Sequence, residues 1–129
     1  MKKLFFVLLM LTIPFTYGCR EKIVSYSDSG KTIHLVVDQI LKIKLPGDAA
    51  SSNDWRKLEY DKVILQKKGK SGYMLGDADT PGYYFFRFRA MVPGTCKVYL
   101  EYGNKRKSEK APLKTFEIEV VVHSKNEKL

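Results

Sequence analysis

The clearest structural signal in this chain is the stretch Thr115-Phe116-Glu117-Ile118-Glu119-Val120-Val121-Val122. One apolar phase runs through it, formed by Phe116, Ile118, Val120 and Val122. Successive side chains of a β-strand point to opposite faces of a sheet, so this alternation predicts a strand with one buried face. The other phase carries two glutamates, which we expect to face Lys or Arg across a neighbouring strand.

Similar alternation recurs upstream. Residues 83–90 read YYFFRFRA, and residues 40–45 read ILKIKL. Pro93-Gly94 then turns the chain into residues 96–102, so 83–90 and 96–102 are predicted to form a hairpin. Further predicted strands cover residues 32–37, 55–60 and 63–66, with a turn over 67–72. About seven to eight short strands without a helical stripe predict an all-β protein, most simply a β-sandwich.

The start of the chain has the pattern of an export signal. Two lysines precede an uncharged apolar run over residues 4–13. A membrane-spanning helix needs roughly 20 apolar residues, whereas a secretory signal peptide needs about ten. We therefore expect residues 1–18 to be a signal peptide that is removed on export.

The residues that follow the signal resemble a bacterial lipobox, in Thr16-Tyr17-Gly18-Cys19. The resemblance implies that the Cys19 thiol carries a lipid and becomes the first residue of a membrane-anchored lipoprotein, facing the periplasm or the cell surface. Ordinary signal-peptidase cleavage after Gly18 is the alternative, because Thr16 and Gly18 form a small-x-small pair.

The two cysteines of the chain are too few for a disulfide framework. Cys96 belongs to the apolar phase of residues 96–102, so we expect a buried free thiol rather than a nucleophile. Residues 20–31 are polar and are predicted to be a tether, with the folded domain over residues 32–129.

The charge and the histidine content narrow the function. The chain carries a formal charge of +9, and without its two leader lysines it keeps 21 Lys or Arg against 14 Asp or Glu. In an exported protein the candidate partners are anionic glycans, membrane headgroups or acidic proteins rather than nucleic acid, and a well-solvated basic surface without a partner is the alternative. His34 and His123 have no Cys, His or carboxylate at metal-ligand spacing, and no Gly-x-Ser-x-Gly motif occurs. We therefore predict a monomeric protein that is not an enzyme and uses no metal or cofactor.

A family resemblance begins after the predicted strand at residues 40–45. Leu45-Pro46-Gly47 precedes six residues, 48–53, and Trp55 closes the segment. This frame resembles the chagasin-like inhibitors of cysteine peptidases, in which an Asn-Pro-Thr-Thr-Gly-Tyr/Phe loop follows Leu-Pro and precedes a Trp.

Two further segments continue the resemblance. Residues 79–82 precede Phe86-Arg87-Phe88-Arg89-Ala90, as the Gly-x-Gly-Gly loop of the family precedes a Phe-x-Phe-x-Ala strand. Leu100-Glu101-Tyr102 is followed by residues 104–106 at the place of the Arg-Pro-Trp loop. The resemblance spans about residues 32–122.

The resemblance implies an immunoglobulin-like sandwich that presents three loops as a wedge to the active-site cleft of a papain-like cysteine peptidase. The first loop would lie nearest the catalytic cysteine, with the other two at its sides. The implied target-binding residues are Asp48, Ala49, Ala50, Ser51, Ser52, Asn53, Asp79, Thr80, Pro81, Gly82, Asn104, Lys105 and Arg106.

The loops depart from the family motifs more than the scaffold does. Residues 48–53 lack the Pro and the Gly of the family loop, and Arg106 stands where the family has Trp. Two interpretations follow: the loops are adapted to another target, or the scaffold serves as an immunoglobulin-like surface-binding or adhesion module. The second would use the basic segments 67–70 and 105–107.

Overall fold

Residues 21–48, 50–107 and 110–126 are described by a computed structural model. They contain one short 3-10 turn, Tyr26–Asp28, and no helix there is long and apolar enough to cross a membrane. The predicted signal peptide, Cys19 and Ala49 lie outside the described residues. The strands are β1 (Lys22–Ser25), β2 (Thr32–Val36), β3 (Ile40–Pro46), β4 (Asn53–Glu59), β5 (Leu65–Lys67), β6 (Gly72–Met74), β7 (Tyr83–Ala90), β8 (Gly94–Asn104) and β9 (Lys114–His123).

The strands form two sheets. Sheet A has the order β1-β3-β7-β5, with β6 also paired to β7, and sheet B has the order β2-β9-β8-β4. The pairs β1–β3 and β2–β9 are parallel, whereas the remaining pairs are antiparallel. The predicted all-β sandwich is confirmed, with two more short strands, β1 and β6, than the sequence indicated.

The core lies between the sheets and is built by the predicted alternation. Phe88 of sheet A and Phe116 of sheet B are both fully buried. Burial of such a side chain contributes about 1.5–3 kcal/mol relative to exposure, so the alternating strands supply most of the driving force for folding. On the outer face, the Lys97 ammonium lies 3.2 Å from the Glu117 carboxylate, which confirms the expected cross-strand ion pair for one of the two glutamates.

The predicted hairpin between residues 83–90 and 96–102 is wrong. β7 pairs with β3, β5 and β6, whereas β8 pairs with β9 and β4. Residues 91–93 therefore carry the chain from one sheet to the other. The physical reason is that both strands have a wholly apolar face, and two such faces bury more area packed across the core than lying side by side.

The predicted tether over residues 20–31 also needs correction. The folded domain includes β1, whose Val24 side chain is only 1% exposed and lies in the core. β1 pairs in parallel with β3, with Lys22 opposite Leu41. A four-residue strand with one buried side chain has too little periodicity to be recognised locally, and its partner lies far along the chain.

Cys96 is a free, buried thiol, as predicted. Burial raises its pKa, because the apolar surroundings disfavour the thiolate. We expect the native thiol to react with a disulfide reagent on the order of 100-fold more slowly than the unfolded chain, because reaction requires opening of the sandwich. Rapid reaction in the native state would contradict this burial.

Candidate functional site

The three loops implied by the family resemblance lie at one end of the sandwich. Loop 1 is residues 48–53, loop 2 is 79–82 and loop 3 is 104–106. Pro46, just before loop 1, is paired with Tyr83, just after loop 2. Asn53, at the end of loop 1, is paired with Asn104, at the start of loop 3. Loop 1 therefore bridges the two sheets, with loop 2 on the side of sheet A and loop 3 on the side of sheet B; we call this the loop end and the opposite one the base.

Polar side chains fix the conformation of loop 1. The Asp48 carboxylate accepts a hydrogen bond from the Ala50 amide at 2.9 Å, and the Asp48 carbonyl accepts one from the Ser51 amide at 3.1 Å. The Ser51 hydroxyl accepts from the Asn53 amide at 3.2 Å and donates to the Asn53 carbonyl at 3.3 Å. Side-chain bonds of this kind are the usual means by which Asp and Ser hold a turn.

A backbone hydrogen bond connects loop 1 to loop 3. The Lys105 amide donates to the Ser52 carbonyl at 2.9 Å. The two loops enclose a concavity of about 390 Å³, lined by Ser51, Ser52, Asn104, Lys105, Arg106 and Lys107. Loops 1 and 3 therefore form one continuous surface.

Loop 3 is held by its own first residue and by an arginine from β4. The Asn104 side-chain oxygen accepts from the Arg106 amide at 2.9 Å and the Lys107 amide at 3.1 Å. The Arg56 guanidinium donates to the carbonyls of Asn104 and Lys107, each at 2.8 Å, and to that of Lys110 at 2.6 Å. Sequence reasoning missed Arg56, because its partners lie about fifty residues away and no local pattern marks it.

Loop 2 is part of a tight turn organised by Asp77. The Asp77 carboxylate accepts from the amides of Asp79 at 2.9 Å and Thr80 at 2.7 Å, and the Asp77 amide donates to the Thr80 carbonyl at 2.8 Å. The hydrogen bond from the Asp79 amide, and to a lesser extent that from Thr80, holds the pKa of Asp77 below its ordinary value, because such bonds favour the charged carboxylate. Asp77 therefore shapes the loop, while Asp79 and Thr80 stay exposed at its surface.

A tyrosine from β6 connects loop 2 to loop 1. The Tyr73 hydroxyl donates to the Gly47 carbonyl at 3.1 Å, and its ring meets Tyr84 edge to face at 4.8 Å. Burial raises the pKa of Tyr84, because the surroundings inside the loop end disfavour the charged form of its hydroxyl. Gly82 lies directly against Tyr73, which explains why a residue without a side chain is needed at the last position of loop 2.

Substitution of Gly82 tests this connection. A Cβ atom there would lie 2.1 Å from the Tyr73 hydroxyl oxygen and 2.9 Å from the Met74 carbonyl oxygen. We expect Gly82→Ala to displace Tyr73, to break its bond to Gly47 and to destabilise the domain by about 1–3 kcal/mol. Tyr73→Phe, which removes only the hydroxyl, should cost about 1 kcal/mol in urea unfolding. Equal stability of Gly82→Ala and the parent would contradict the close packing.

Trp55 supports the loop end from below. It is 5% exposed, packs against Tyr26 and Tyr102, and donates from its indole nitrogen to the Pro46 carbonyl at 2.8 Å. The prediction that Trp55 is a core residue rather than a ligand platform is confirmed. Its hydrogen bond fixes the point at which the chain leaves β3 for loop 1.

The structure brings together two histidines that are 89 residues apart. The Nδ1 of His34 lies 2.8 Å from the Nε2 of His123, across the parallel pair β2–β9 and toward the base. Their separation in sequence hid this contact. No group of three or more His, Cys, Asp or Glu side chains in the described ranges is placed to hold a metal ion.

Comparison with known proteins agrees with this geometry. The family described as Chagasin family peptidase inhibitor I42 matches residues 34–120, which include all three loops. The chain belongs to the chagasin family of peptidase inhibitors. No curated protein sequence matches the chain significantly.

Several solved structures share the fold of this chagasin-family chain. The cysteine protease inhibitor EhICP2 from Entamoeba histolytica superposes with a TM-score of 0.71 at 18% identity, over 82% of this chain and 98% of its own. Amebosin gives a TM-score of 0.61 at 18% identity, over 81% of this chain and 99% of its own. PbICP-C, solved in complex with falcipain-2, gives 0.51 at 17% identity, over 81% of this chain and 91% of its own. The shared fold therefore takes up almost the whole of the first two structures.

Proposed function

We propose that this protein inhibits papain-like cysteine peptidases by inserting loops 1, 2 and 3 into the active-site cleft. The observation that carries the proposal is the position of all three loops at one end of a chagasin-family sandwich, where loops 1 and 3 are hydrogen-bonded to each other and loop 2 is held by Asp77. Family membership supports the target class, and so does the relative PbICP-C, which is solved with falcipain-2.

Loop 1 is the part suited to approach the catalytic cysteine. Ala50, Ser51 and Ser52 are small, so the backbone at the tip can come close to a narrow cleft. Loops 2 and 3 flank it on either side, where Asp79 and Thr80 face one wall and Lys105 and Arg106 face the other.

Hydrogen bonds supply the rigidity that the family obtains from Pro and Gly. A loop that is ordered before binding loses less conformational entropy on binding, which raises affinity. In this chain the Asp48 carboxylate, the Ser51 hydroxyl and the Lys105–Ser52 backbone bond hold loop 1. The altered loop sequence is therefore compatible with a preformed wedge.

The inhibitor would act outside the cytoplasm. The lipobox-like segment supports an exported protein that is held at a membrane through a lipid on Cys19. Counting thiols in the denatured protein purified from membranes tests this: one reactive thiol, Cys96, is expected if Cys19 is acylated, and two if it is not.

The test of inhibition is a titration of several papain-like peptidases with residues 19–129. We expect stoichiometric loss of peptidase activity without cleavage of the inhibitor. Lack of inhibition at micromolar concentrations across these enzymes would overturn the proposal and favour a surface-binding module without inhibitory activity.

Matched variants locate the inhibitory surface. Ser52→Arg adds bulk and charge at the exposed tip of loop 1, whereas Thr95→Arg makes the same kind of change at an exposed position of β8 near the base. We expect Ser52→Arg to weaken inhibition by about 100-fold or more, because the side chain clashes inside the cleft, and Thr95→Arg to leave it within about twofold. Equal inhibition by the two variants would exclude the loop end as the binding surface.

A further inference from the structure

The two faces of the sandwich differ sharply in charge. Sheet B carries four Lys or Arg residues against five Asp or Glu in its strands, whereas sheet A carries only cations. The charged residues in the strands of sheet A are Lys22, Lys42, Lys44, Lys67, Arg87 and Arg89. The excess positive charge of the strands is thus confined to one sheet.

Four of these cations lie on the outer face of sheet A, which we call the basic face: Lys42, Lys44, Arg87 and Arg89. Their neighbours in the sheet, Leu41, Ile43, Phe86 and Phe88, point into the core. Arg87 is paired with Glu21 at 2.7 Å, while Lys42 and Lys44 have no carboxylate partner in the described part of the chain.

Aromatic and aliphatic side chains lie among these cations. The Lys44 ammonium lies 4.7 Å from the centre of the Tyr83 ring, and that of Lys42 lies 5.4 Å from the Phe85 ring. Ile23 and Met74, each about half exposed at 53% and 49%, extend the apolar part. A surface that mixes Lys with half-buried aromatic rings suits the boundary between lipid headgroups and water.

The basic face also adjoins the predicted lipid. Because residues 22–25 form β1 rather than a tether, only two residues separate Cys19 from the edge strand of sheet A. Three peptide steps reach at most about 10 Å. A lipid on Cys19 would therefore enter the membrane beside this face, and the tether does not hold the domain at a distance.

We propose that the basic face of sheet A docks on an anionic phospholipid surface, next to the Cys19 anchor. The location rests on the proposed anchoring, whereas the charge and the aromatic residues are independent of it. Each Lys near such a surface contributes about 1 kcal/mol, so the face strengthens the attachment that the lipid on Cys19 supplies.

This orientation leaves the loops free. β1 runs parallel to β3, and its first residue, Lys22, is level with Leu41 near the base, whereas loop 1 follows Pro46 at the other end. The loops thus extend beyond the ends of the strands and not from the docked face. A peptidase would reach them without displacing the domain from the membrane.

The experiment uses residues 19–129 with Cys19→Ser, so that no lipid contributes, and vesicles of phosphatidylcholine with or without about one third phosphatidylglycerol. We expect sedimentation with the anionic vesicles only, weakening as salt is raised. The double variant Lys42→Gln/Lys44→Gln should bind about 30-fold more weakly. The control Lys57→Gln/Lys97→Gln removes two exposed cations of sheet B and should bind within about threefold of the parent.

Each other outcome overturns the inference. Equal binding to neutral and anionic vesicles, or equal losses in both double variants, would remove the basic face as the contact. Binding to a sulfated glycan but not to vesicles would assign the face to another partner. Peptidase inhibition by Lys42→Gln/Lys44→Gln should match that of the parent, so a failure here is separable from a failure of the proposed inhibitory function.

Discussion

Replacement of Arg56 by Met is expected to disorder loop 3 and to destabilise the domain by about 2–4 kcal/mol. The Arg56 side chain is 11% exposed, and its guanidinium serves three carbonyls of loop 3 and the segment after it. It also lies 3.8 Å from the Glu101 carboxylate, which is 12% exposed and would keep only the more exposed Lys57 as a countercharge. Met has a similar length and an apolar stem, so the loss of stability can be assigned to removal of the guanidinium group.

The loss of Arg56 should also weaken peptidase inhibition by at least about tenfold, because binding would then have to order loop 3. Arg56→Lys keeps the charge but replaces the planar guanidinium by a single ammonium group. We expect this variant to recover little of the lost stability or of the lost inhibition. Urea unfolding followed by circular dichroism, together with the inhibition titration, measures the two effects.

The matched control is Arg87→Met. Arg87 also forms an ion pair, with Glu21 at 2.7 Å, but its side chain is 45% exposed. Exposed pairs contribute about 0–1 kcal/mol, so this variant should unfold near the parent midpoint and inhibit equally. If both Met variants lose the same stability, Arg56 has no special role in holding loop 3.

Replacement of Trp55 by Ala is expected to cause the largest loss of stability, about 3–5 kcal/mol. The indole is 5% exposed and fills the space between Tyr26 and Tyr102. Its removal leaves a cavity at the foot of loop 1 and an unpartnered Pro46 carbonyl. Since the free energy of unfolding of a small domain is about 5–15 kcal/mol, this variant would lose a large part of the stability of the domain.

The variant Trp55→Phe distinguishes the contribution of ring packing from that of the hydrogen bond to Pro46. Phe retains most of the packing but cannot donate to Pro46, so we expect a cost of about 1–2 kcal/mol, well below that of Ala. The chain has a single Trp, so unfolding of these variants is followed by circular dichroism rather than by indole fluorescence. Similar costs for Ala and Phe would indicate that the hydrogen bond, and not the packing, holds this position.

These residues show how the loop end is held without the Pro and Gly of the family's first loop. Asp48 and Asn104 cap their own loops, Arg56 fixes loop 3 from below, and Tyr73 joins loop 2 to the exit of β3. The stiffness of the loop end then depends on polar side chains within the loops, Asp48 and Asn104, and on two outside them, Arg56 and Tyr73.

Part of the candidate site was predictable, and part was not. The positions of loops 1, 2 and 3 follow from flanking residues such as Leu45-Pro46 and Trp55, because strand ends and core residues leave local marks in a sequence. The contacts of Arg56 and Tyr73 do not, because each joins segments that are distant along the chain, and the chemistry of one residue does not specify a remote partner. The same reason hid the neighbouring His34 and His123.

The all-β class, the buried phase of the long strands and the burial of Cys96 were predictable from local sequence, because period-two alternation is a property of each strand alone. The assignment of strands to sheets required the tertiary structure, as shown by β7 and β8, which lie in different sheets although they are consecutive. The tertiary structure also showed that residues 22–25 form a strand rather than the predicted tether. Pairing and packing depend on which distant apolar faces bury the most area together, and that is a property of the whole chain rather than of any segment.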